Sequence, residues 1–319
     1  MEPKNQIDLS IIAPMFNEES NIDHFFETLI PVLEPLGLTY EIICIDDGSR
    51  DRTLEKILGY HQRNPRIKVI SFSRNFGKEI ALTAGLHHSN GKAIIPIDTD
   101  LQDPPELIEG MVEKWREGYD VVYAVRRRRL GESSFKRFTA NIFYRFINCI
   151  SDTPIPKDTG DFRLFDRRVV KELNRIPERT RFMKGLFAWV GFKQVGIEYD
   201  RQPRHLGKTK WNYWKLWNFA LDGITLFSTF PLRFWSYIGI IISLLSFGYA
   251  SFLILRTLIH GRDVPGYASI MVAVLFMGGL QLISLGVIGE YLGRVYAETK
   301  RRPLYIVDES YGFEKNPED

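Results

Sequence analysis

Residues 94–106, IIPIDTDLQDPPE, set Asp98, Asp100 and Asp103 directly behind an apolar stretch, Ala93-Ile94-Ile95-Pro96-Ile97. Apolar residues that end in carboxylates read as a buried strand whose C-terminal end carries chemistry. Side chains alternate along a strand, so Asp98 and Asp100 point the same way, about 7 Å apart. Two hard oxygen ligands on one face suit Mg²⁺ or Mn²⁺, ions that also take phosphate oxygens. Gln102 offers a neutral oxygen beside them. An isolated Asp-x-Asp is more often a solvated acidic turn before a helix, with Pro104 or Pro105 in the first turn. The elements around it favour the chemical reading.

Residues 9–13 form a first strand ending at Pro14, and Asn17 or Ser20 is placed to cap the helix that follows. A second strand over 40–45 stops at Asp46-Asp47-Gly48-Ser49, and Asp51 or Thr53 starts the next helix. Strands follow at 67–72, 93–97 and 120–124, with helices at 77–88 and 107–117. This alternation predicts an α/β, Rossmann-like domain with a mostly parallel, doubly wound sheet. Such sheets bind ligands beyond the carboxyl ends of their strands. Three of those ends carry polar clusters: Pro14-Met15-Phe16-Asn17-Glu18, Asp46-Asp47-Gly48-Ser49 and Asp98-Thr99-Asp100. The first strand is followed by no G-x-G-x-x-G, and the chain has no G-x-x-x-x-G-K-[ST], which disfavours dinucleotide oxidoreductases and P-loop NTPases.

A nucleotide needs groups for base, ribose and phosphates. Asp46 can accept from a base N–H or a ribose hydroxyl, and Asn17 and Glu18 serve the same pocket or else cap a helix. Asp98 suits ribose or metal, and Asp100 metal. Lys78 adds positive charge near phosphates or is a solvated lysine at a helix start. Arg126-Arg127-Arg128-Arg129 follow the fifth strand, with Lys136 and Arg137 beyond, upstream of the apolar stretch 138–150. A basic cluster beside an interfacial helix suits a lipid phosphate, whereas nothing reads as a groove-reading element for nucleic acid. Asp158 and Asp161, in KDTGDFRL, either face the reacting centre or shape an Asx turn. Residues 204–211, including Lys210, make a basic loop able to close over a diphosphate.

The 319 residues carry a net charge of +3 and two cysteines, Cys44 and Cys149, which read as buried thiols in a reducing compartment. MEPKNQIDLS shows no secretory signal, so residues 1–210 are expected in the cytoplasm. Residues 211–232 are aromatic-rich and suit an amphipathic interfacial helix. Two apolar segments follow, about 234–258 and 267–292, each longer than the roughly 20 residues that cross a bilayer. Arg233 before them and Lys300-Arg301-Arg302 after them place both flanks in the cytoplasm by the positive-inside rule. Residues 296–319 form a cytoplasmic tail, loose from Tyr311 onward. Gly278-Gly279 and residues 286–289 offer small surfaces for helix packing in a homo-oligomer.

Together the motifs resemble the polyisoprenyl-phosphate glycosyltransferases, the dolichyl-phosphate mannose synthase-like branch of glycosyltransferase family 2. The resemblance rests on P-x-F-N-E, D-D-G-S, R-N-x-G-K at residues 74–78, D-x-D-L-Q-D-P-P-E, D-x-G-D-F-R-L, G-K-T-K-W and the two-helix C-terminus. It implies a GT-A fold that binds a nucleotide-diphosphate sugar. It also implies a divalent cation held by Asp98, Asp100 and Gln102, and a lipid phosphate gripped by the arginine-lysine cluster. Within the family the chain is most similar to bacterial bactoprenol glucosyltransferases, which implies an integral protein of a bacterial plasma membrane. The expected reaction is inverting transfer of glucose from UDP-glucose to undecaprenyl phosphate. Alternatives are another donor (GDP-mannose, or a UDP-linked amino sugar or arabinose derivative) and a non-catalytic membrane protein that binds nucleotide sugars. The D-x-G-D-F-R-L stretch departs from the S-G-F/Y-R form of mannose synthases and leaves both Asp158 and Asp161 as catalytic candidates.

Overall fold

The computed structural model describes residues 7–128, 159–179, 181, 183–200, 230–260 and 266–313. Strand β1 (Leu9–Met15), LSIIAPM, is buried on both faces apart from a half-exposed Pro14, as a near-continuous apolar run requires in the middle of a parallel sheet. It pairs in parallel with β2 (Tyr40–Asp46) on one side and β4 (Ala93–Pro96) on the other. β3 (Ile67–Phe72) extends the parallel set beyond β2. Helices α1 (Ile22–Leu33), α2 (Thr53–Arg63), α3 (Lys78–His88) and α4 (Leu107–Arg116) make the crossovers.

One core layer joins Ile11, Met15, Phe25, Phe26, Cys44, Ile95 and Met111; the other joins Ile12, Ile43, Ile45, Ala81 and Ala84. Burial pushes the Cys44 thiol up, so it is inert packing, as its apolar neighbours lead one to expect. Cys149 lies outside the described residues. Helix α3 approaches the sheet at Gly85, where an added Cβ would stand 2.2 Å from Ile12 Cγ2 and 3.0 Å from Ile45 Cδ1. Gly85→Val forces two fully buried isoleucines to move. Overpacking of this kind costs about 2 kcal/mol, which thermal denaturation reads as a melting temperature lower by about 4–8 °C.

Beyond β4 the sheet is mixed. β5 (Val121–Arg128) pairs in parallel with β7 (Gln194–Asp200), but β6 (Thr159–Asp166) lies antiparallel between β5 and β4. The full order is β7-β5-β6-β4-β1-β2-β3-β8. Two sequence expectations change here. The arginine run does not follow the fifth strand, because Arg126, Arg127 and Arg128 are its last residues. The DTGDFRL stretch is not an Asx turn from Thr159 onward but a strand, with Phe162, Leu164 and Phe165 fully buried. Asp166 then caps α5 (Arg167–Arg175) by accepting from the Arg168 backbone N–H at 2.8 Å, and α6 (Met183–Trp189) covers the Phe165 face through Phe187.

Helices α7 (Phe230–His260) and α8 (Tyr267–Thr299) leave apolar side chains bare, among them Leu244 at 69%, Phe247 at 77% and Leu282 at 72% exposure. Among the described residues one stretch, Val272–Thr299, is long and apolar enough to cross a membrane, and Phe234–Tyr249 is a shorter apolar helix. The chain after α8 is not loose at Tyr311. Strand β8 (Val307–Tyr311) pairs antiparallel with β3, Val69 opposite Tyr311. Tyr305 stacks on Phe72 with ring centroids 5.0 Å apart, and Glu298 at the end of α8 accepts the Arg179 backbone N–H at 2.8 Å. The charged face of β8 had hidden it; an edge strand needs only one apolar partner row and uses charge to block further pairing.

Candidate active site

The carboxyl ends of β1, β2 and β4 meet at one edge of the sheet, with Met15 level with Asp46 and Ile12 level with Pro96. Successive strands run outward from β1 to β3 and then jump to β4 on the far side of β1, which makes this edge a topological switch point. Pro14 sits beside Ile45 near that edge.

The loop after β1 is laced to the loop after β2. Asn17 adopts φ +52°, its backbone N–H donates to Ser49 Oγ at 2.9 Å, and its Oδ1 accepts the Arg50 N–H at 2.8 Å. Asn17 therefore ties two loops and does not cap α1, whose first residue is Ile22. Ser20 does not cap it either; Asn21 precedes the helix and donates its side-chain amide to Glu18 Oε2 at 2.6 Å. The Glu18 backbone N–H donates to Thr53 Oγ1 at 2.8 Å. Of the two expected starts of α2, Thr53 is its first residue, and Asp51 just before it accepts the Thr53 N–H and hydroxyl at 3.0 and 2.6 Å.

Asp46 ends β2 nearly buried and accepts from the Ser49 N–H and the Ser71 hydroxyl, both at 3.2 Å. Burial pushes its carboxyl above the usual range, against those hydrogen bonds. Asp47, which sequence reasoning did not single out, is the deeper structural device. Its carboxylate accepts the Phe76 N–H at 2.6 Å, the Gly77 N–H at 2.9 Å and the Asn75 side-chain amide at 2.9 Å. Burial raises its pKa as well. Gly48, at φ +66°, lies so close that a Cβ would stand 2.4 Å from the Arg74 carbonyl carbon. The D-D-G-S and R-N-x-G-K motifs are thus one unit, fastened across 28 or more residues of chain. Only the joint presence of both motifs could have signalled this.

That fastening aims Lys78, the first residue of α3. Its Nζ stands 2.7 Å from an Asp98 carboxylate oxygen and 2.8 Å from Asp161 Oδ2. It stands at a helix start, but paired with two carboxylates and not held by solvent alone. β4 lies antiparallel to β6, Ala93 opposite Asp166 and Ile94 opposite Phe165, which brings the turn after β4, with Asp98, toward the end of β6 that carries Asp161. The two carboxylates act on each other as like charges, and the Lys78 ammonium that both contact relieves that repulsion. Burial works against the charge on Lys78, but Asp161 and Asp98 outweigh it and hold its pKa well above the ordinary value. Burial pushes Asp98 up, Lys78 pulls it down, and the Asp161 and Asp100 charges raise it again. Lys78 and Asp98 keep 40% of their side-chain surface open, and Asp161 16%, so a ligand can reach the group.

Asp100 lies on the same turn, where the Gln102 backbone N–H points at Asp100 Oδ1 at 3.4 Å. Leu101 between them takes φ +47°, a left-handed conformation that is uncommon for leucine and clusters at functional turns. Gln102 is buried, and Asp103, also buried, accepts the Tyr199 hydroxyl. Arg163, two residues beyond Asp161, is 3% exposed, donates to the Gly160 carbonyl at 2.7 Å and lies over the Phe187 ring at 4.6 Å. Burial lowers its pKa to about 10. Among the described residues no three His, Cys, Asp or Glu side chains are gathered into a ready metal cluster. The donor chemistry nevertheless fits a hard divalent cation, since the Asp98 and Asp100 carboxylates lie close enough for Asp100 to raise Asp98, with Lys78 facing Asp98. Asp158, Lys136, Arg137, Lys210, the side chains of Arg126, Arg127 and Arg128, and most of the expected interfacial helix at 211–232 lie outside the described residues.

The profile for glycosyl transferase family 2 matches residues 10–173, which span every strand of this edge. The chain belongs to glycosyl transferase family 2. A second profile, the GtrB C-terminal hairpin, matches residues 230–295, the α7–α8 pair. An uncharacterized glycosyltransferase of Synechocystis sp. is 62% identical over 311 residues, covering 98% of either chain. A prophage bactoprenol glucosyl transferase homolog of Escherichia coli is 50% identical over 299 residues, 94% of this chain and 98% of its own. The bactoprenol glucosyl transferase of Shigella phage SfV is 48% identical over 299 residues, 94% and 97%. The mixed, mostly parallel sheet is the GT-A arrangement, and the family 2 enzyme is a glycosyltransferase.

Proposed function

We propose that this family 2 glycosyltransferase moves glucose from UDP-glucose to undecaprenyl phosphate, with inversion, at the edge where β1, β2, β4 and β6 meet. The observation that carries the reading is the convergence of Asp98 and Asp161 on Lys78 at the switch point. The near full-length relatives named bactoprenol glucosyl transferase support the choice of donor sugar and acceptor. Asp46 takes the nucleoside, with Pro14, Asn17 and Glu18 lining the same edge, and Lys210 closes over the diphosphate. Asp98 and Asp100, with Gln102, would hold Mg²⁺ or Mn²⁺, which supplies Lewis-acid stabilisation of the departing diphosphate.

The attacking group is an oxygen of the lipid phosphate. Its second pKa is near 6, so it is mostly dianionic at pH 7 and needs no base. The new C–O bond forms at the anomeric carbon as the bond to the diphosphate breaks, and the electron pair leaves with UDP. Asp161 orients the acceptor through Lys78 and does not abstract a proton; Asp158 is the neighbouring candidate for the same task. Arg126, Arg127, Arg128, Lys136 and Arg137 grip the acceptor phosphate.

The α7–α8 hairpin anchors the enzyme in the membrane. The return of the chain into the domain sheet as β8 supports a topology with both hairpin flanks on one side, the cytoplasm. A screen of the detergent-solubilised full chain with undecaprenyl phosphate against UDP-glucose, GDP-mannose, UDP-linked amino sugars and a UDP-arabinose derivative tests the donor. UDP-glucose is expected to give at least tenfold the turnover of the others, and a different best donor overturns that part of the reading.

A further inference from the structure

We propose that Lys78 is the resting counter-ion of the reaction centre, whose ammonium must release Asp98 before a divalent cation can bind, so that metal binds tightly only together with the nucleotide diphosphate. This deepens the proposed function and rests on it. Three observations carry it. Lys78 Nζ lies within 2.8 Å of two carboxylates, Asp98 in the turn after β4 and Asp161 in β6, the contact distance of full ion pairs. Those carboxylates act on each other as like charges, and the Lys78 ammonium is the cation that both contact. The backbone that presents Lys78 is held by Asp47 at 2.6 and 2.9 Å, so the ammonium is aimed and not merely drawn in by charge.

A cation and an ammonium cannot both use the same Asp98 oxygens. An arriving diphosphate offers Lys78 another anionic partner, and the carboxylate is then free for the metal. Linkage makes the effect reciprocal: whatever the diphosphate gains from the metal, the metal gains from the diphosphate. The device would keep the enzyme from holding metal in an empty site and would tie the assembly of the centre to donor binding.

The test is calorimetric titration of the full chain in detergent with MnCl₂ alone and then in the presence of UDP. In Lys78→Met the Kd for Mn²⁺ alone is expected to fall about tenfold, and the tightening caused by UDP to shrink by a similar factor. Lys78→Arg, which keeps the charge, is expected to stay within threefold of the wild type. If the methionine variant does not fold, Lys78→Gln serves in its place with the same expected gain. Unchanged or weaker Mn²⁺ binding by the neutral variant overturns the proposal. These titrations need no sugar transfer, so failure of the donor assay and failure of this inference are separate results.

Discussion

Asp98→Ala is expected to reduce sugar transfer to the lipid by about 10³-fold, because Lewis-acid help of several kcal/mol disappears and each 1.4 kcal/mol is a factor of ten. Asp98 is the residue on which the two halves of the proposed centre depend, since it faces Lys78 and Asp161 and lies two residues from Asp100. Asp161→Asn is the informative companion. It removes the charge opposite Asp98 but no proposed metal ligand, so turnover is expected to fall about 10²-fold, in the range for one positioned polar group, while Mn²⁺ still binds. Steady-state rates with labelled donor, set beside Mn²⁺ titrations of both variants, separate the two roles. Wild-type turnover by Asp98→Ala, or full activity in excess chelator, would contradict the assignment.

The second large effect falls on a residue that touches no proposed substrate. Asp47→Ala leaves the backbone N–H groups of Phe76 and Gly77 without their acceptor in a half-buried place. Each such loss costs about 1–3 kcal/mol, and about 3 kcal/mol in total lowers the melting temperature by about 6–12 °C. The same change loosens the start of α3 and lets Lys78 drift from Asp98, so activity is expected to fall even below the melting transition. Asp47→Asn keeps acceptor capacity on one oxygen and should recover part of the stability. Thermal melts followed by circular dichroism check the first effect. An Asp47→Ala enzyme that melts with the wild type would show that the 74–77 loop is held by something else.

Much of the donor half was legible in the sequence because parallel strands announce themselves. Residues buried on both faces must be apolar without interruption, so β1, β2 and β4 stood out, and the polar clusters marked their ends. The acceptor half was harder. β6 carries Asp161, Arg163 and Asp166 among its eight residues, so its charges mimic a loop, although Arg163 is buried over Phe187 and donates to the Gly160 carbonyl. Missing that strand hid the approach of Asp161 to Asp98, and with it the position of Lys78. Asn17 misled for a related reason: asparagine is a good helix cap, and it is equally good at a left-handed turn where its side chain bonds backbone on another loop. β8 was read as tail because its alternation is acidic and short, and its pairing with β3 depends on a chain return after the hairpin that no local pattern encodes.

The most direct measurement is the partition of label after incubating the full chain with UDP-[¹⁴C]glucose, undecaprenyl phosphate and MgCl₂. The account predicts label in the organic phase as a mild-acid-labile lipid phosphodiester, formed by the wild type and lost in Asp98→Ala. Label that stays in water, as free glucose or unreacted donor, or that enters a polymer, would contradict it.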